Sequence, residues 1–245
     1  MNFKKENTGI ITQVRMTSSR LPGKVLKEIN HRSLLDYHMK RLLKCGYDVV
    51  IATTTNQTDD CICDFAVKHN IKFYRGSEHN VLSRFYEAAL KFNFQIIVRV
   101  TSDCPLIDPD LIQVNVEKYI QLNNPDLYMS NALERTFARG FDFEVFSFDS
   151  LKEAFSNATD NSDLEHVTPF IWKNKSGKVK FYHIQQKLNN SRFRITVDTK
   201  EDFELMKVII EKYRADELSY QKIEDILIQH PELAEINAHI GQKEL

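Results

Sequence analysis

Three cations lie close together near the N-terminus of this chain, in the stretch VRMTSSRLPGK. Arg15, Arg20 and Lys24 fall within ten residues, with hydroxyl side chains between the first two and Pro22-Gly23 before the third. An arginine offers phosphate a planar fork of N–H donors, and a lysine offers a point charge. Three such cations on one loop are suited to a polyphosphate, although a solvated surface loop could have the same composition.

Carboxylates elsewhere in the chain could complete such a site with a metal ion. Asp103 ends the apolar run FQIIVRVTSD, and Asp198 ends the run FRITVD. Mg²⁺ favours one or two carboxylates together with substrate phosphates, so this pair could hold it. Either residue could instead cap a helix, since Asp198-Thr199 precedes the helical pattern EDFELMKVII.

A third acidic segment, Asp108-Pro109-Asp110, has the D-x-D pattern of metal-dependent glycosyltransferases. Aspartate is a favoured N-cap, and proline is favoured at the first position of a helix. We therefore interpret this segment as a helix start and keep metal binding as the alternative.

The elements that position these residues alternate between β-branched apolar runs and segments of helical period. The first four predicted strands are GIITQV, YDVVIATTT, IKFYRGS and FQIIVRVTSD, with helices predicted over 34–45, 59–69 and 80–92 between them. This order predicts an α/β fold with a largely parallel sheet, which binds ligands beyond the carboxyl ends of its strands. The cationic loop follows the first strand and Asp103 follows the fourth, so we expect both at one cleft.

After Asn123 the predicted strands become shorter and are mixed with helices. The strands are DLYMSN, FDFEVFSF, KVKFYHI and FRITVD, and the helices cover 151–158, 163–172, 202–213 and 220–229. Because no linker marks a boundary, residues 1–245 are predicted to form a single domain with a mixed extension over about 124–190.

The composition narrows the possible partners. With 33 basic and 34 acidic residues the net charge is -1, which gives no cationic field for nucleic acid. The chain has no apolar signal core and no membrane span of roughly 18 apolar residues, and its four cysteines suit a reducing compartment. We therefore expect a cytoplasmic protein with no membrane partner.

Neither G-x-G-x-x-G nor a Walker A loop occurs, so side-chain cations would have to bind any nucleotide.

Further polar residues lie in the mixed part of the chain. Arg139 precedes the run GFDFEV, Glu144 lies within it, and Glu165-His166 precedes Thr168-Pro169. His166 could act as a general base or contact a substrate. These residues could also have no function, if Arg139 and Glu144 simply alternate outward from a strand and His166 has a structural role on a helix.

Taken together, these motifs resemble the SpsF-like (spore coat polysaccharide biosynthesis) branch of the acylneuraminate and ketodeoxyoctonate cytidylyltransferase family. The similar segments follow the family's order over roughly residues 9–206: QVRMTSSRLPGKVL, TTTNQTDD, FYRGSEHNVLSRFYEA, VRVTSDCPLIDPDLI, YMSNALERTFARGFDFEVFS, DLEHVTPFI and FRITVDTKEDFELM. The resemblance implies a three-layer α/β/α Rossmann-like fold of GT-A type. It also implies a mixed sheet and a homodimer formed through the small extension.

The resemblance implies that CTP binds over the loop after the first strand. It assigns catalysis to Arg15, Lys24 and Asp103, and Mg²⁺ binding to Asp103 and Asp198. The nucleotide-binding residues that it implies are Gln13, Val14, Arg15, Thr17, Ser18, Arg20, Lys24, Thr53, Arg75 and Ser102. The implied acceptor residues are Arg139, Glu144 and His166. Thr17 and Ser102 stand where family members usually have glycine, and Val14 where they usually have alanine.

The implied activity is transfer of CMP from CTP to an acidic sugar of the nonulosonic-acid type, with release of pyrophosphate, for surface polysaccharide biosynthesis. The same chemistry on an acceptor that bears a phosphate or phosphonate is one alternative. A GT-A glycosyltransferase that uses a nucleotide sugar is a second alternative, and a non-catalytic CTP-binding protein is a third.

Overall fold

The computed structural model describes residues 3–241. Its strands are β1 (Thr8–Gln13), β2 (Glu28–Ile29), β3 (Arg32–Ser33), β4 (Asp48–Thr54), β5 (Lys72–Gly76), β6 (Ile96–Thr101), β7 (Leu127–Ser130), β8 (Glu144–Ser147) and β9 (Lys180–His183). Its α-helices are α1 (Leu34–Leu42), α2 (Asp60–Lys68), α3 (Val81–Lys91), α4 (Pro109–Leu122), α5 (Phe148–Asn157), α6 (Asn161–His166), α7 (Pro169–Trp172), α8 (Lys200–Tyr213), α9 (Tyr220–Gln229) and α10 (Pro231–Glu235). Single turns of 3₁₀ helix cover Lys5–Asn7, Lys24–Leu26, Leu43–Cys45, Gln57–Asp59 and Ala215–Glu217. Within 3–241, no helix has both the length and the apolar composition needed to cross a bilayer.

Seven of these strands form one mixed sheet in the order β5-β4-β1-β6-β8-β7-β9. β5, β4, β1 and β6 run parallel, and β8 runs antiparallel to β6. β7 runs antiparallel to β8 and parallel to β9, while β2 and β3 form a separate antiparallel pair. The chain order reverses between β1 and β6, and doubly wound sheets bind their ligands at such a reversal.

Different helices cover the two faces of the sheet. Successive residues of a strand point to opposite faces. Ile10 accordingly belongs to an apolar cluster with α1 and α4, whereas Ile11 belongs to a cluster with α3 and α5. A third cluster packs α8 and α9 against the other side of α1. The predicted three-layer α/β/α Rossmann-like fold with a mixed sheet is confirmed.

Local capping signals start the helices beside the site. Asn80 Oδ1 accepts the N–H of Ser83 at 2.8 Å at the start of α3. Asp108 Oδ1 accepts the N–H of Leu111 at 2.8 Å at the start of α4, where Pro109 is the first helical residue. Each cap satisfies an N–H group that has no acceptor within its own helix.

The segment FRITVD, predicted as a strand, is irregular. Within residues 3–241 its strand-like pairing is limited to an isolated bridge between Arg139 and Arg194. The Ile195 N–H donates to the Arg139 carbonyl at 2.7 Å, and the Val197 N–H donates to the Asp103 carbonyl at 2.8 Å. The strand prediction was wrong. The alternating apolar residues of this segment are buried between the loop of Arg139 and the loop of Asp103, and they do not pair with a neighbouring strand.

The helix predicted over 163–172 is split into α6 and α7. Val167 has φ 71 and ψ -54, and the Thr168 N–H donates to the His166 carbonyl at 2.8 Å, which is the geometry of a γ-turn. Pro169, which has no N–H, then begins α7. A β-branched residue at positive φ is strained, and this strain directly follows a residue predicted for the site.

Gly140 allows its own loop to approach closely the irregular segment that contains Ile195 and Thr196. It has φ 119, and a Cβ added there would lie 2.8 Å from the Ile195 carbonyl carbon and 2.9 Å from the Thr196 nitrogen. We expect Gly140→Ala to lower the free energy of unfolding by about 3 kcal/mol or more, through strain and overlap with backbone. Gly177 is the control, since its φ is 75 but no atom lies within 4 Å of an added Cβ. Gly177→Ala should cost about 1 kcal/mol in urea denaturation, and equal losses for both variants would contradict this packing.

Candidate active site

The cationic loop after β1 is closed by its own backbone. The Gly23 N–H donates to the Met16 carbonyl at 2.9 Å, which draws the two ends of the loop together. Gly23 adopts φ 67, a left-handed conformation that is accessible to glycine without steric cost. Lys24 follows directly, so this turn sets the direction in which the lysine leaves the loop.

Asp59 anchors the same loop from the end of β4. It is fully buried, and its Oδ1 accepts the N–H of Met16 at 2.8 Å. The hydroxyls of Thr53 and Thr54 donate to its Oδ2 at 3.2 and 2.5 Å. A buried carboxylate requires such donors to offset its lost hydration, so these contacts fix the loop to β4.

Lys24 lies between two carboxylates that come from distant parts of the chain. Its ammonium donates to Asp198 Oδ1 at 2.8 Å and to Asp103 Oδ2 at 3.3 Å, and also to the Val197 carbonyl at 2.8 Å. The lysine is only 8% exposed. The structure thus brings together the three residues that the sequence placed at the ends of separate segments.

Two arginines also contact Asp198. Its Oδ2 forms an ion pair with Arg20 at 2.8 Å and accepts a hydrogen bond from Arg194 at 2.8 Å. Arg194 also pairs with Asp202 at 2.9 Å, and Asp202 forms a capping box with Thr199 at the start of α8. The helix cap is therefore Thr199, and Asp198 directs its charge toward the cations of the loop.

These ion pairs determine the charge states. Burial alone would lower the pKa of the Lys24 ammonium, but Asp103 and Asp198 outweigh it and raise that pKa overall. Burial raises the pKa of Asp103, yet Lys24 and hydrogen bonds from Thr101 and Cys104 bring it down to about 2. At neutral pH a protonated lysine therefore faces the ionised carboxylate of Asp103.

His38 on α1 joins the ends of β1 and β6 beneath the site. Its Nδ1 lies 2.9 Å from the Cys104 carbonyl and its Nε2 lies 2.9 Å from the Thr12 hydroxyl. A carbonyl only accepts, so Nδ1 donates to Cys104 and Nε2 accepts from Thr12 in the neutral ring. Complete burial lowers the pKa of His38 to about 4. This neutral imidazole holds the loop of Asp103 against β1.

Glu144 on β8 organises the opposite wall. Its carboxylate accepts the hydroxyl of Thr168 at 2.8 Å, the hydroxyl of Tyr128, and a guanidinium N–H of Arg99 at 2.5 Å. Arg99 also donates to the side-chain oxygen of Gln13 at 3.2 Å. The charge of Glu144 is thus neutralised within the protein and linked through Arg99 to the end of β1.

Arg139 presents a half-buried guanidinium that has no ion pair with any residue in 3–241. Its backbone is held by the bridge to Arg194, whereas nearby Arg135 pairs with Asp142. Burial lowers the pKa of Arg139, Arg135 and Arg194 lower it further, and Asp142 opposes the change. An anion bound beside Arg139 would supply its missing counter-charge.

These groups line one cleft of about 390 Å³ at the carboxyl ends of β1 and β6. Its basic side chains are Arg15, Arg20, Lys24, Arg84, Arg99, Arg135 and Arg139, and its acidic side chains are Asp103, Asp142, Glu144, Glu165 and Asp198. Seven cations against five carboxylates make the cleft positive, although the chain as a whole carries -1. Such a cleft attracts polyanions.

Comparison with known proteins identifies the family. The sequence profile described as "Cytidylyltransferase" matches residues 9–242. The chain belongs to the cytidylyltransferase family. It is 30% identical to the spore coat polysaccharide biosynthesis protein SpsF of Bacillus subtilis, over 91% of this chain and 95% of that protein. It is also 35% identical to an uncharacterised protein of Methanocaldococcus jannaschii, over 95% of each.

Solved structures agree with this assignment. A cytidylyltransferase from Leptospira borgpetersenii superimposes with a TM-score of 0.89 at 31% identity, covering 98% of this chain and 99% of that one. A CMP:2-keto-3-deoxy-manno-octonic acid synthetase complexed with CTP has a TM-score of 0.61 at 15% identity, covering 84% and 99%, and shares the fold. The family resemblance of the motifs is confirmed, and the protein is a CTP-dependent nucleotidyltransferase.

Most residues predicted for the cytidylyltransferase site line the cleft. On the nucleotide side these are Gln13, Val14, Arg15, Ser18, Arg20, Lys24 and Ser102, with the carboxylates of Asp103 and Asp198. Arg139, Glu144 and His166, predicted to contact an acceptor, line the same cleft. The two predicted sets therefore share one continuous space.

Three predicted nucleotide contacts do not line the cleft. The Thr17 hydroxyl donates to Glu78 at 2.6 Å, and the Thr53 hydroxyl is taken up by the buried carboxylate that anchors the loop. Arg75 donates to two carbonyls after β4 and pairs with Asp60 at 2.7 Å. These side chains support the loops around the cleft, and their direct contact with nucleotide stays a prediction.

The D-x-D segment has the structural role that its helix-start pattern predicted. Asp108 is 2% exposed, and besides capping α4 its Oδ2 accepts the N–H of Tyr220 at 2.7 Å. Neither Asp108 nor Asp110 lines the cleft. The D-x-D segment therefore contributes no carboxylate to this cleft.

Sequence reasoning missed several groups that shape the cleft. Arg99 carried a signal, because a charged residue inside the apolar run FQIIVRVTSD must point at something polar. Asp59 resembled an ordinary helix cap, His38 resembled a residue of an apolar helix face, and Arg84 resembled a surface position on α3. Their roles depend on contacts across the fold that no local pattern shows.

The burial of His38 predicts a pH-dependent loss of stability. Its pKa is about 4 in the fold and 6.5 ordinarily, so between these values the unfolded chain binds a proton that the folded chain does not. Stability should therefore fall as the pH falls from 6.5 toward 4. In urea denaturation, we expect wild type to lose about 2 kcal/mol more than His38→Gln between pH 7 and pH 5. Exposed His79 provides the control, since His79→Gln should retain the wild-type dependence. Parallel curves for wild type and His38→Gln would show that His38 is charged or exposed.

Proposed function

We propose that this cytidylyltransferase transfers CMP from CTP to a small acidic sugar of the nonulosonic-acid type, with release of pyrophosphate. The observation that carries the proposal is that one cleft contains both the cations Arg15, Arg20 and Lys24 and the guanidinium of Arg139, which has no ion pair within residues 3–241. Two anionic ligands side by side would match these charges. The similarity to SpsF, whose name assigns it to spore coat polysaccharide biosynthesis, supports a role in making a surface polysaccharide.

The nucleotide lies at the cationic loop in this proposal. An acceptor hydroxyl oxygen bonds to the α-phosphorus of CTP, the bond from that phosphorus to the bridging oxygen of the β-phosphate breaks, and the hydroxyl proton is released. Arg15, Arg20 and Lys24 stabilise the negative charge that develops on the leaving pyrophosphate. The protein contributes mainly positioning and charge, so no covalent enzyme intermediate is required.

The carboxylates of Asp103 and Asp198 fit a divalent metal ion. Both already converge on one cation, the Lys24 ammonium, at 3.3 and 2.8 Å. No group of three or more potential metal-ligating side chains occurs among residues 3–241, so an ion held by this pair would need phosphate or water oxygens to complete its shell. When bound there, Mg²⁺ would polarise the α-phosphate and lower the pKa of the acceptor hydroxyl.

The acceptor lies against the wall that carries Arg139. The guanidinium binds the acceptor's carboxylate, or a phosphate or phosphonate in its place, through paired N–H donors. Glu144 holds Arg99 and Thr168 rather than the acceptor itself, and His166 contacts the sugar from the last residue of α6, directly before the strained Val167.

We further propose that the protein is a homodimer that pairs through residues 124–190. β9 is the last strand of the sheet, and its Phe181 and Tyr182 are 39% and 38% exposed. An open strand edge with exposed aromatic side chains favours association. Light scattering that gives the mass of one chain at micromolar concentration would exclude this assembly.

Pyrophosphate release tests the proposed reaction. Purified protein with CTP and Mg²⁺ should release pyrophosphate when an acidic sugar is added, and product mass should show the acceptor joined to CMP. Asp103→Asn should reduce kcat/KM by roughly 100-fold or more, because charge is no longer balanced at the reacting phosphate. No pyrophosphate with any nonulosonic acid, phosphorylated or phosphonate acceptor would refute the activity.

The acceptor assignment is tested separately by Arg139→Met. We expect the KM for the acceptor to rise about tenfold or more from the loss of a charge-assisted contact, with the KM for CTP little changed. Arg192 is the control, because it is exposed and stacks on Phe193 outside the cleft. A larger effect of Arg139→Met on CTP than on the acceptor would place the acceptor's anion elsewhere.

A further inference from the structure

Arg84 is a buried arginine that the site described so far does not use. It lies on α3, is 1% exposed and is the largest of the fully buried side chains among residues 3–241. It also lines the cleft, next to Val81 at the start of the same helix. A cation at such a position requires a partner, because burying an uncompensated charge is costly.

The protein supplies Arg84 with only one neutral partner in the described chain. One guanidinium N–H donates to the Ser77 carbonyl at 2.9 Å, and the buried Nε has no acceptor. No carboxylate in residues 3–241 forms an ion pair with it. Arg41, which is 4% exposed, shows the contrast: its N–H groups donate to three backbone carbonyls and it lies 3.7 Å from Asp108.

The nearest acidic groups are directed elsewhere. Asp59 binds the backbone of the cationic loop, and Glu78 accepts from Thr17 and from Asn56 at 2.6 Å each. Burial and, to a lesser extent, the positive charge of Arg15 lower the pKa of Arg84 to about 10, although Asp59 and Glu78 oppose the change. Arg84 and Arg15, a predicted phosphate-binding cation, line the same cleft, and their like charges repel each other.

We propose that Arg84 is a further anion-binding residue of the nucleotide site, and that the triphosphate of CTP supplies the counter-charge that residues 3–241 do not provide. This proposal rests on CTP as the substrate, as proposed above. An anion shared by Arg15 and Arg84 relieves the repulsion between the two guanidinium groups and satisfies N–H donors that have no acceptor among the described residues. Arg84 thus extends the phosphate site from the loop after β1 to the first turn of α3.

The proposal predicts opposite effects on stability and on binding. Without nucleotide, Arg84→Met should melt at or above the temperature of wild type, because a buried unpaired charge has been removed. Its Kd for CTP should rise about tenfold or more, because charge-assisted hydrogen bonds are lost. Arg84→Lys, which keeps a charge but not the fork, should bind with intermediate affinity.

Arg41→Met is the matched control. It removes a buried arginine that the protein fully satisfies, so the melting temperature should fall while the Kd for CTP stays within about twofold of wild type. The partly exposed Arg32, which pairs with Asp36 at 2.9 Å, gives a milder control in Arg32→Met if the Arg41 variant does not fold. Titration calorimetry with cytidine and with inorganic tripolyphosphate then shows which part of CTP Arg84 binds. The affinity of Arg84→Met should be lower than that of wild type for tripolyphosphate and unchanged for cytidine.

Several results would overturn this inference. The first is an Arg84→Met protein that is less stable than wild type or fails to fold. The second is an Arg84→Met protein that binds CTP and tripolyphosphate as tightly as wild type does. The third is an Arg84→Met protein whose affinity for cytidine is reduced. Wild type that binds tripolyphosphate through Arg84 but never turns over CTP would preserve the anion site and refute the proposed reaction. Wild type that binds neither CTP nor tripolyphosphate would contradict both.

Discussion

The ammonium of Lys24, held between Asp103 and Asp198, is the contact on which the geometry of the cleft depends. It joins a loop after the first strand to residues 79 and 174 positions further along the chain. Removing one partner of such a buried group would leave uncompensated charge, so all three segments must reach the same point. Two hydrogen bonds help to fix these segments: the Gly23 N–H closes the cationic loop on the Met16 carbonyl, and the Val197 N–H joins the other two segments by donating to the Asp103 carbonyl.

The charges around this contact fall into two kinds. The carboxylates of Asp59, Glu144 and Asp202 are fully engaged by protein donors and hold the loops and the helix start in place. The guanidinium groups of Arg84 and Arg139 lack an acidic partner in residues 3–241, and both line the cleft. Paired charges therefore build the walls, and unpaired cations mark where anionic ligands are proposed to bind.

Much of this arrangement could be predicted from the sequence, because parallel α/β sheets collect the carboxyl ends of their strands at one edge. That rule placed the loop of Lys24 beside Asp103 before any contact was known. Asp198 was correctly predicted to lie at the cleft, but its segment is not the strand that the prediction assumed. Contacts with neighbouring loops position it instead. Arg84 and His38 could not be predicted because a polar residue on a helix looks the same in sequence whether it faces solvent, a cleft or the protein interior. Whether a charge is paired depends on residues distant in the chain, and periodicity carries no information about that.

The most direct test is a crystal structure with CTP and Mn²⁺, in which anomalous scattering locates the metal. The proposed metal and triphosphate site predicts a metal peak within about 2.2 Å of carboxylate oxygens of both Asp103 and Asp198. It also predicts that phosphate oxygens contact Lys24 and Arg15. A metal held away from these two carboxylates, or a triphosphate bound with Lys24 still paired only to Asp103 and Asp198, would contradict it.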